Sequence, residues 1–350
     1  MQEKLGTRQL PTAELELQGA RGLLVSAPGR GVPAITSLVN VTRVHNAVAA
    51  AAAMRRCVAL CRDYAHRRVA FGAPLASNPL HLETLARLDV AARGATLLVF
   101  DVVARMGRVE AGRGGADDEP LLRILTPLAK LATGKAAIAV ASETVEMFGG
   151  VGYCEDSGVP VIFRDAQTLP VWEGTTNVLS HDVHRVMLQT KGDAMVRLIA
   201  AVEARCAAAA AAAGAAALAP AVAATRAGAG ALASFASAAY RGDPNAPAVH
   251  AVLRDFALSA ARVYTAGCLL EHAAARWAGA ADAAAAVRWA CEDEGGGLVC
   301  GTLRGWRHGA PHDRSAATAA LALDHDAAGA PRGCGDGPGR WQYYGPAARC

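Results

Sequence analysis

The chain has 350 residues and a formal charge of +4 spread along its length, with no basic block from which a nucleic-acid surface follows by composition. It is apolar, poor in aromatics and dominated by alanine, the residue with the best helix propensity, and it is long enough for two or three domains. Nine cysteines, odd in number, irregularly spaced and without a C-x-x-C pair, argue against zinc or a redox dithiol and for a reducing compartment.

The first residues, MQEKLGTRQLPTAELELQGARG, show no basic stretch followed by an apolar one, so no signal peptide is read there. Leu5 to Val32 alternates polar and apolar residues at Glu14, Leu15, Glu16 and Leu17, then breaks at Gly29 and Gly31. That pattern predicts one or two strands, too few for a sheet of their own. From Thr42 the pattern turns helical: Val44, Ala51, Val58 and Ala65 recur on one face with Val48, and Gly72 and Pro74 stop the run. Cys57 and Cys61 share a side of this helix and read as small buried residues.

A second helix carries Leu85, Leu88, Ala92, Ala95, Val99, Val102 and Met106 at alternating spacings of three and four, the seam of a bundle. Thr126-Pro127 reads as an N-cap followed by proline at the first position of a third helix, which the glycines of MFGG close. A fourth runs through NVLSHDVHRVMLQ. A four-helix bundle is therefore expected over Val41 to Gln189. Beyond it the alanine runs, such as Ala207 to Ala213, are helical by propensity but too weakly hydrophobic for a membrane span. Helices resume around Ala248 to Gly279 and Ala283 to Cys291, and the Gly- and Pro-rich end reads as disordered. A soluble intracellular protein is expected.

Within VWEGTTNVLS, Glu173 precedes an apolar run, where a carboxylate is stabilised by the helix dipole. His181 and His184, with Asp182 between them, lack an indicated third ligand, so no metal site is assigned. Arg276, Arg288, Arg304 and Arg307 could form a basic face, although scattered arginines are usually solvated surface.

NVTRVHNAVAA (Asn40 to Ala50), RRVAFGAPL (Arg67 to Leu75) and EMFGGVGYCEDSGVPVIFRDAQTLPVWEGTTNV (Glu146 to Val178) occur in this order, and their spacing resembles the C-terminal half of acyl-CoA dehydrogenases. WEGTTN followed by LSHDVHR is most similar to the adaptive-response, AidB-like branch. The resemblance implies a mainly α fold: residual strands of the β-domain at 1–35, the four-helix bundle at 36–190, an Ala-rich helical extension at 191–325 and a disordered tail at 326–350. It also implies FAD-dependent α,β-desaturation of an acyl-CoA thioester, with Glu173 as the α-proton base and Arg43 beside it. A desolvated glutamate suits that role because burial raises a carboxylic pKa toward neutral.

The resemblance places Arg68 and Phe71 at the pyrophosphate and adenine end of FAD, where a guanidinium suits a diphosphate and a ring suits stacking. Glu146, where many members have glutamine, and Gly149 and Gly150 would line the same cofactor, with Gly152 allowing close backbone approach. Thr175 and Asn177 match positions near the adenosine-diphosphate half and read equally as helix-capping residues. Arg43 also reads as a salt-bridge partner of Glu173 or Asp165. Trp172 reads as a packing aromatic that could line the pocket. Asn40 replaces the acidic residue that often touches the CoA pantetheine.

Implied partners are an acyl-CoA-like substrate, an electron-transfer acceptor and further copies in a dimer or tetramer, in a cytoplasmic, mitochondrial or peroxisomal setting without membrane insertion. No TEP- or AGSD-like segment of the β-domain occurs, so the chain is expected to be a fragment, or to be completed by another chain, and to be weak alone. The alternative is a non-catalytic AidB-like module that binds partner subunits or DNA.

Overall fold

The computed structural model describes residues 1–292, 297–301 and 303. Helix α1 (Gly31–Arg67) leads through a two-stranded hairpin, β1 (Val69–Ala70) and β2 (Ala73–Pro74), into α2 (Pro79–Glu110) and α3 (Asp118–Met147). A short α4 (Val159–Ala166), which periodicity did not predict, precedes α5 (Thr176–Gln189). Helices α1, α2 and α3 pack on one another and α5 packs on α3, which forms the bundle.

The extension is α6 (Asp193–Ala211), α7 (Ala215–Arg241), α8 (Pro247–Ala251), α9 (Leu253–Ala273) and α10 (Ala280–Cys291). Helix α9 is its axis, touching α2, α3 and α5 of the bundle as well as α6, α7 and α10. Phe256, Val263, Tyr264 and Leu270 on α9 are fully buried, and one continuous apolar cluster runs from Val44 to Leu303. The alanine-rich stretches are thus genuine helices, α6 and α7. By length and composition α3 and α7 could each cross a bilayer, but α3 spends its apolar surface inside the bundle, where Leu125, Leu128 and Leu131 are fully buried.

Three expectations need correction. Residues 1–30 contain no strand; Leu15 and Val25 are 80% and 94% exposed. An alternating segment becomes a strand only when a neighbouring edge accepts its hydrogen bonds, and among the described residues β1 and β2 pair only with each other. Helix α1 begins at Gly31, well before Thr42; the pattern missed its first turns because Val32, Ile35 and Leu38 there are exposed and show no buried face. Pro127 lies inside α3, which begins at Asp118 with acidic residues in its first turn. Such a proline removes a helical N–H and strains the preceding turn, but both Thr126 and Pro127 are buried in the core.

Cys57 and Cys61 are buried together with Met54 on α1. Burial pushes the Cys61 and Cys206 thiols up to about 11, which keeps them protonated and unreactive. The 326–350 tail, and Arg304 and Arg307, lie outside the described residues.

Candidate functional site

The loop between α4 and α5 carries Glu173. It folds back on itself through hydrogen bonds from Val171 N and Trp172 N to Thr168 O, both 2.9 Å. Gly134 of α3 seats it: a Cβ there would meet the Leu169 backbone at 3.2 Å. Glu173 has a φ of 59° and Gly174 a φ of 106°. Left-handed backbone is natural for glycine but unfavourable for a glutamate, so something must hold it.

Two cations do. Arg43 of α1 donates from Nε to Glu173 O at 3.2 Å, and Lys130 of α3 donates from Nζ to Gly174 O at 2.5 Å. Arg43 also pairs with Asp182 of α5 at 2.7 Å, and Arg123 reaches the same carboxylate at 3.3 Å. Burial pushes the Asp182 carboxyl up, but Arg123 and Arg43 outweigh it and hold it below the usual range. The expected ion pair of Arg43 with Glu173 or Asp165 is therefore replaced by one with Asp182. Helix α5 carries that carboxylate to the guanidinium, while Asp165 accepts from Thr7 N at 2.5 Å.

Glu173 is half-buried, two residues ahead of the Thr175 N-cap, and its carboxylate joins no hydrogen bond or ion pair among the described residues. It is both a helix-start carboxylate and one whose oxygens remain available. Thr175 caps α5 by accepting from Val178 N, and Asn177 accepts from Arg254 of α9 at 3.0 Å. Trp172 is 44% exposed beside Glu173, and Asn40 is half-buried on α1.

A second group gathers at the other end of α1. Arg68, Glu146, Gly149 and Gly150 line a cleft of 540 Å³ with Tyr64, Phe148 and His81. Tyr64 stacks on Phe148 at 4.3 Å and donates its hydroxyl to Phe148 O at 3.2 Å. His81 Nε2 is buried there without a hydrogen-bond partner among the described residues. Phe71 stands apart from the cleft, fully exposed at the tip of the β1–β2 hairpin with a φ of 52°. Arg43 and Arg68 are 25 residues apart on α1 and its C-cap, or about 37 Å at a rise of about 1.5 Å per residue. That span exceeds one extended flavin dinucleotide.

The FGGVGY turn depends on Gly152, where a Cβ would fall on the Val145 carbonyl oxygen and 2.8 Å from Phe148 Cβ. Gly152→Ala is expected to lower stability by about 1–3 kcal/mol, the cost of overpacking. A urea midpoint unchanged from wild type would contradict this.

Lys130 and Arg254 were missed from sequence. The available signal for Lys130 was one lysine inside the apolar run Leu128 to Leu131, which would bury a charge. His184 Nδ1 meets the Tyr240 hydroxyl at 2.8 Å, and its ring lies 5.0 Å from that of His250; among the described residues no group of three His, Cys, Asp or Glu side chains could hold a metal. Arg276 is exposed, whereas Arg288 pairs with Glu83 at 2.5 Å and Glu292 at 3.1 Å. The basic face suggested for DNA is thus partly neutralised.

A helical bundle with a glutamate on a clamped left-handed loop, and an arginine- and glycine-lined cleft at its far end, defines an acyl-CoA dehydrogenase C-terminal module. Residues 29–188 match the family description "Acyl-CoA dehydrogenase, C-terminal domain", and 193–295 match "Acyl-CoA dehydrogenase 11 C-terminal domain-like". The chain belongs to the acyl-CoA dehydrogenase family. It is 39% identical over 300 residues to acyl-CoA dehydrogenase family member 11 of Caenorhabditis elegans, covering 83% of this chain and 47% of that protein. It is 34% identical over 192 residues to AidB of Escherichia coli, covering 55% of this chain and 35% of AidB. The crystal structure of Caenorhabditis elegans ACDH-11 in complex with C11-CoA superposes with a TM-score of 0.85 at 36% identity, covering 92% of this chain and 53% of that one. The chain spans about half the length of these relatives, or less.

Proposed function

We propose that this chain is the helical half of an FAD-dependent oxidoreductase that desaturates an acyl-CoA thioester, with Glu173 as the base for the α-proton. The observation that carries the proposal is the Glu173 loop: strained, held by two cations through its carbonyls, and bearing a carboxylate that joins no hydrogen bond or ion pair among the described residues. A base must be free to take a proton yet fixed in position, and this arrangement meets both needs. The C11-CoA bound to the ACDH-11 relative supports an acyl-CoA as substrate class.

The residues of the far cleft fit a flavin dinucleotide. Arg68 offers a guanidinium to a diphosphate, Gly149 and Gly150 have open space where side chains would stand, and the unpartnered His81 Nε2 faces a need that a polar ligand group would meet. Bound FAD would supply the hydride acceptor, reoxidised by a separate electron acceptor. Because the cleft and Glu173 lie at opposite ends of α1, the reading includes a second copy: one chain's Arg68 end holds the cofactor that another chain's Glu173 end serves.

The test is spectroscopic. The chain mixed with FAD and C11-CoA under anaerobic conditions should bleach the flavin band slowly, as a helical half acting alone, and Arg68→Ala should weaken FAD retention. Stoichiometric FAD that no acyl-CoA bleaches would overturn the assignment.

A further inference from the structure

Lys130 is a side chain for which the bundle gives no packing reason. It lies on α3 between Ala129 and Leu131, with none of its surface exposed. An ammonium so placed costs stability unless something answers the charge. Its hydrogen bond goes outward from the core to the Gly174 carbonyl, one residue past Glu173. Arg43 takes the preceding carbonyl, that of Glu173 itself. Two consecutive carbonyls are therefore held by cations from two different helices, across a pair of residues that both have positive φ.

We propose that Lys130 is a positioning residue for Glu173: its buried ammonium pins the Gly174 carbonyl while Arg43 pins that of Glu173, and together they fix the left-handed backbone from which the carboxylate projects. The proposal rests on the reading of Glu173 as the base. Alone, the Arg43 contact would leave the Gly174 peptide free to rotate, and Gly174 would permit that rotation at little cost. The Lys130 contact removes this freedom, and charge-assisted hydrogen bonds are the strong ones.

The surroundings of Lys130 agree. Burial, and secondarily Arg43 of α1, push its ammonium down to about 8, while the Glu173 carboxylate on the loop pulls it up. The sign of the linkage follows: the unfolded chain binds the proton more tightly, so the charged form weakens the fold below about pH 8, and the cost is relieved as pH rises toward the ordinary lysine range. Arg123 and Asp182 enter through Arg43, which shares the Asp182 carboxylate with Arg123.

The chain has only four lysines, Lys4, Lys130, Lys135 and Lys191, so side-chain NMR of lysine-labelled protein resolves each. One signal should titrate near 8, disappear in Lys130→Met and move lower in Glu173→Gln. Hydrogen exchange of the 171–178 segment should rise about tenfold in Lys130→Met, a change of about 1.4 kcal/mol in local opening; it should stay near wild type in Lys130→Arg, with α9 protected throughout. Four lysines titrating together at the ordinary value, a Lys130 signal unmoved by Glu173→Gln, or equal exchange in Lys130→Met would each overturn the proposal. Should Lys130→Met not fold, the titrations of wild type and Glu173→Gln decide alone. None of these measurements needs flavin or acyl-CoA, so a chain that fails as an oxidoreductase can still pass them, and the two failures are distinguishable.

Discussion

Glu173→Gln is expected to slow removal of the α-proton from an acyl-CoA thioester by about 10²–10⁴-fold, the usual contribution of a placed general base. Glutamine keeps the size and leaves the clamp intact, because Arg43 and Lys130 grip the backbone carbonyls of Glu173 and Gly174. What disappears is the carboxylate proposed to accept the proton. Exchange of α-protium for solvent deuterium reads this step directly, and the rate of flavin bleaching reads it again in the FAD-loaded protein. Acyl-CoA affinity should change little, so the loss should fall on kcat. A glutamine variant that exchanges the α-proton at the wild-type rate would remove Glu173 from the mechanism.

Arg205→Met should lower the unfolding free energy by about 3 kcal/mol, the scale seen when one member of a buried charge network is removed. Arg205 leaves α6 and pairs with Asp101 of α2 at 2.7 Å and Glu271 of α9 at 2.8 Å. Its guanidinium lies 4.8 Å over the ring of Tyr264, whose hydroxyl donates to Asp101 at 2.6 Å. Methionine fills much of the space but leaves Asp101, among the described residues, with Arg105 at 3.0 Å and Tyr264 as partners. Burial pushes the Asp101 carboxyl up; Arg205, Tyr264 and Arg105 outweigh it and hold it below its ordinary value. Its stabilising contribution is therefore full above about pH 4 and fades as pH falls through the folded value. Urea melts across pH should show the acid-side loss in wild type and a smaller one in Arg205→Met. Equal midpoints at pH 7 would refute the assignment.

The bundle was legible because α2 and α5 carry their buried faces as regular apolar spacing. Leu85, Leu88, Ala92, Ala95, Val99 and Val102 point inward as the pattern required. The N-terminal segment misled because alternation records what a stretch could pair with, and pairing is a property of a partner edge. The Glu173 motif was legible as a family frame, but its local physics was not. That a glutamate adopts φ of 59°, and that a lysine 43 positions earlier reaches the next carbonyl, are consequences of α3 crossing beneath the loop. No spacing within the motif encodes such a crossing. Likewise the partner of Arg43 depended on which carboxylate α5 brought near, and Asp182 was visible only as a residue between two histidines.

The apolar cluster that runs unbroken from Val44 to Leu303 also bears on how the molecule responds to its ligands. Bundle and extension share α9 as a common wall, so neither can loosen without exposing surface that belongs to the other. A ligand that binds only the folded Glu173 loop therefore raises the melting temperature of the entire body, α7 and α10 included.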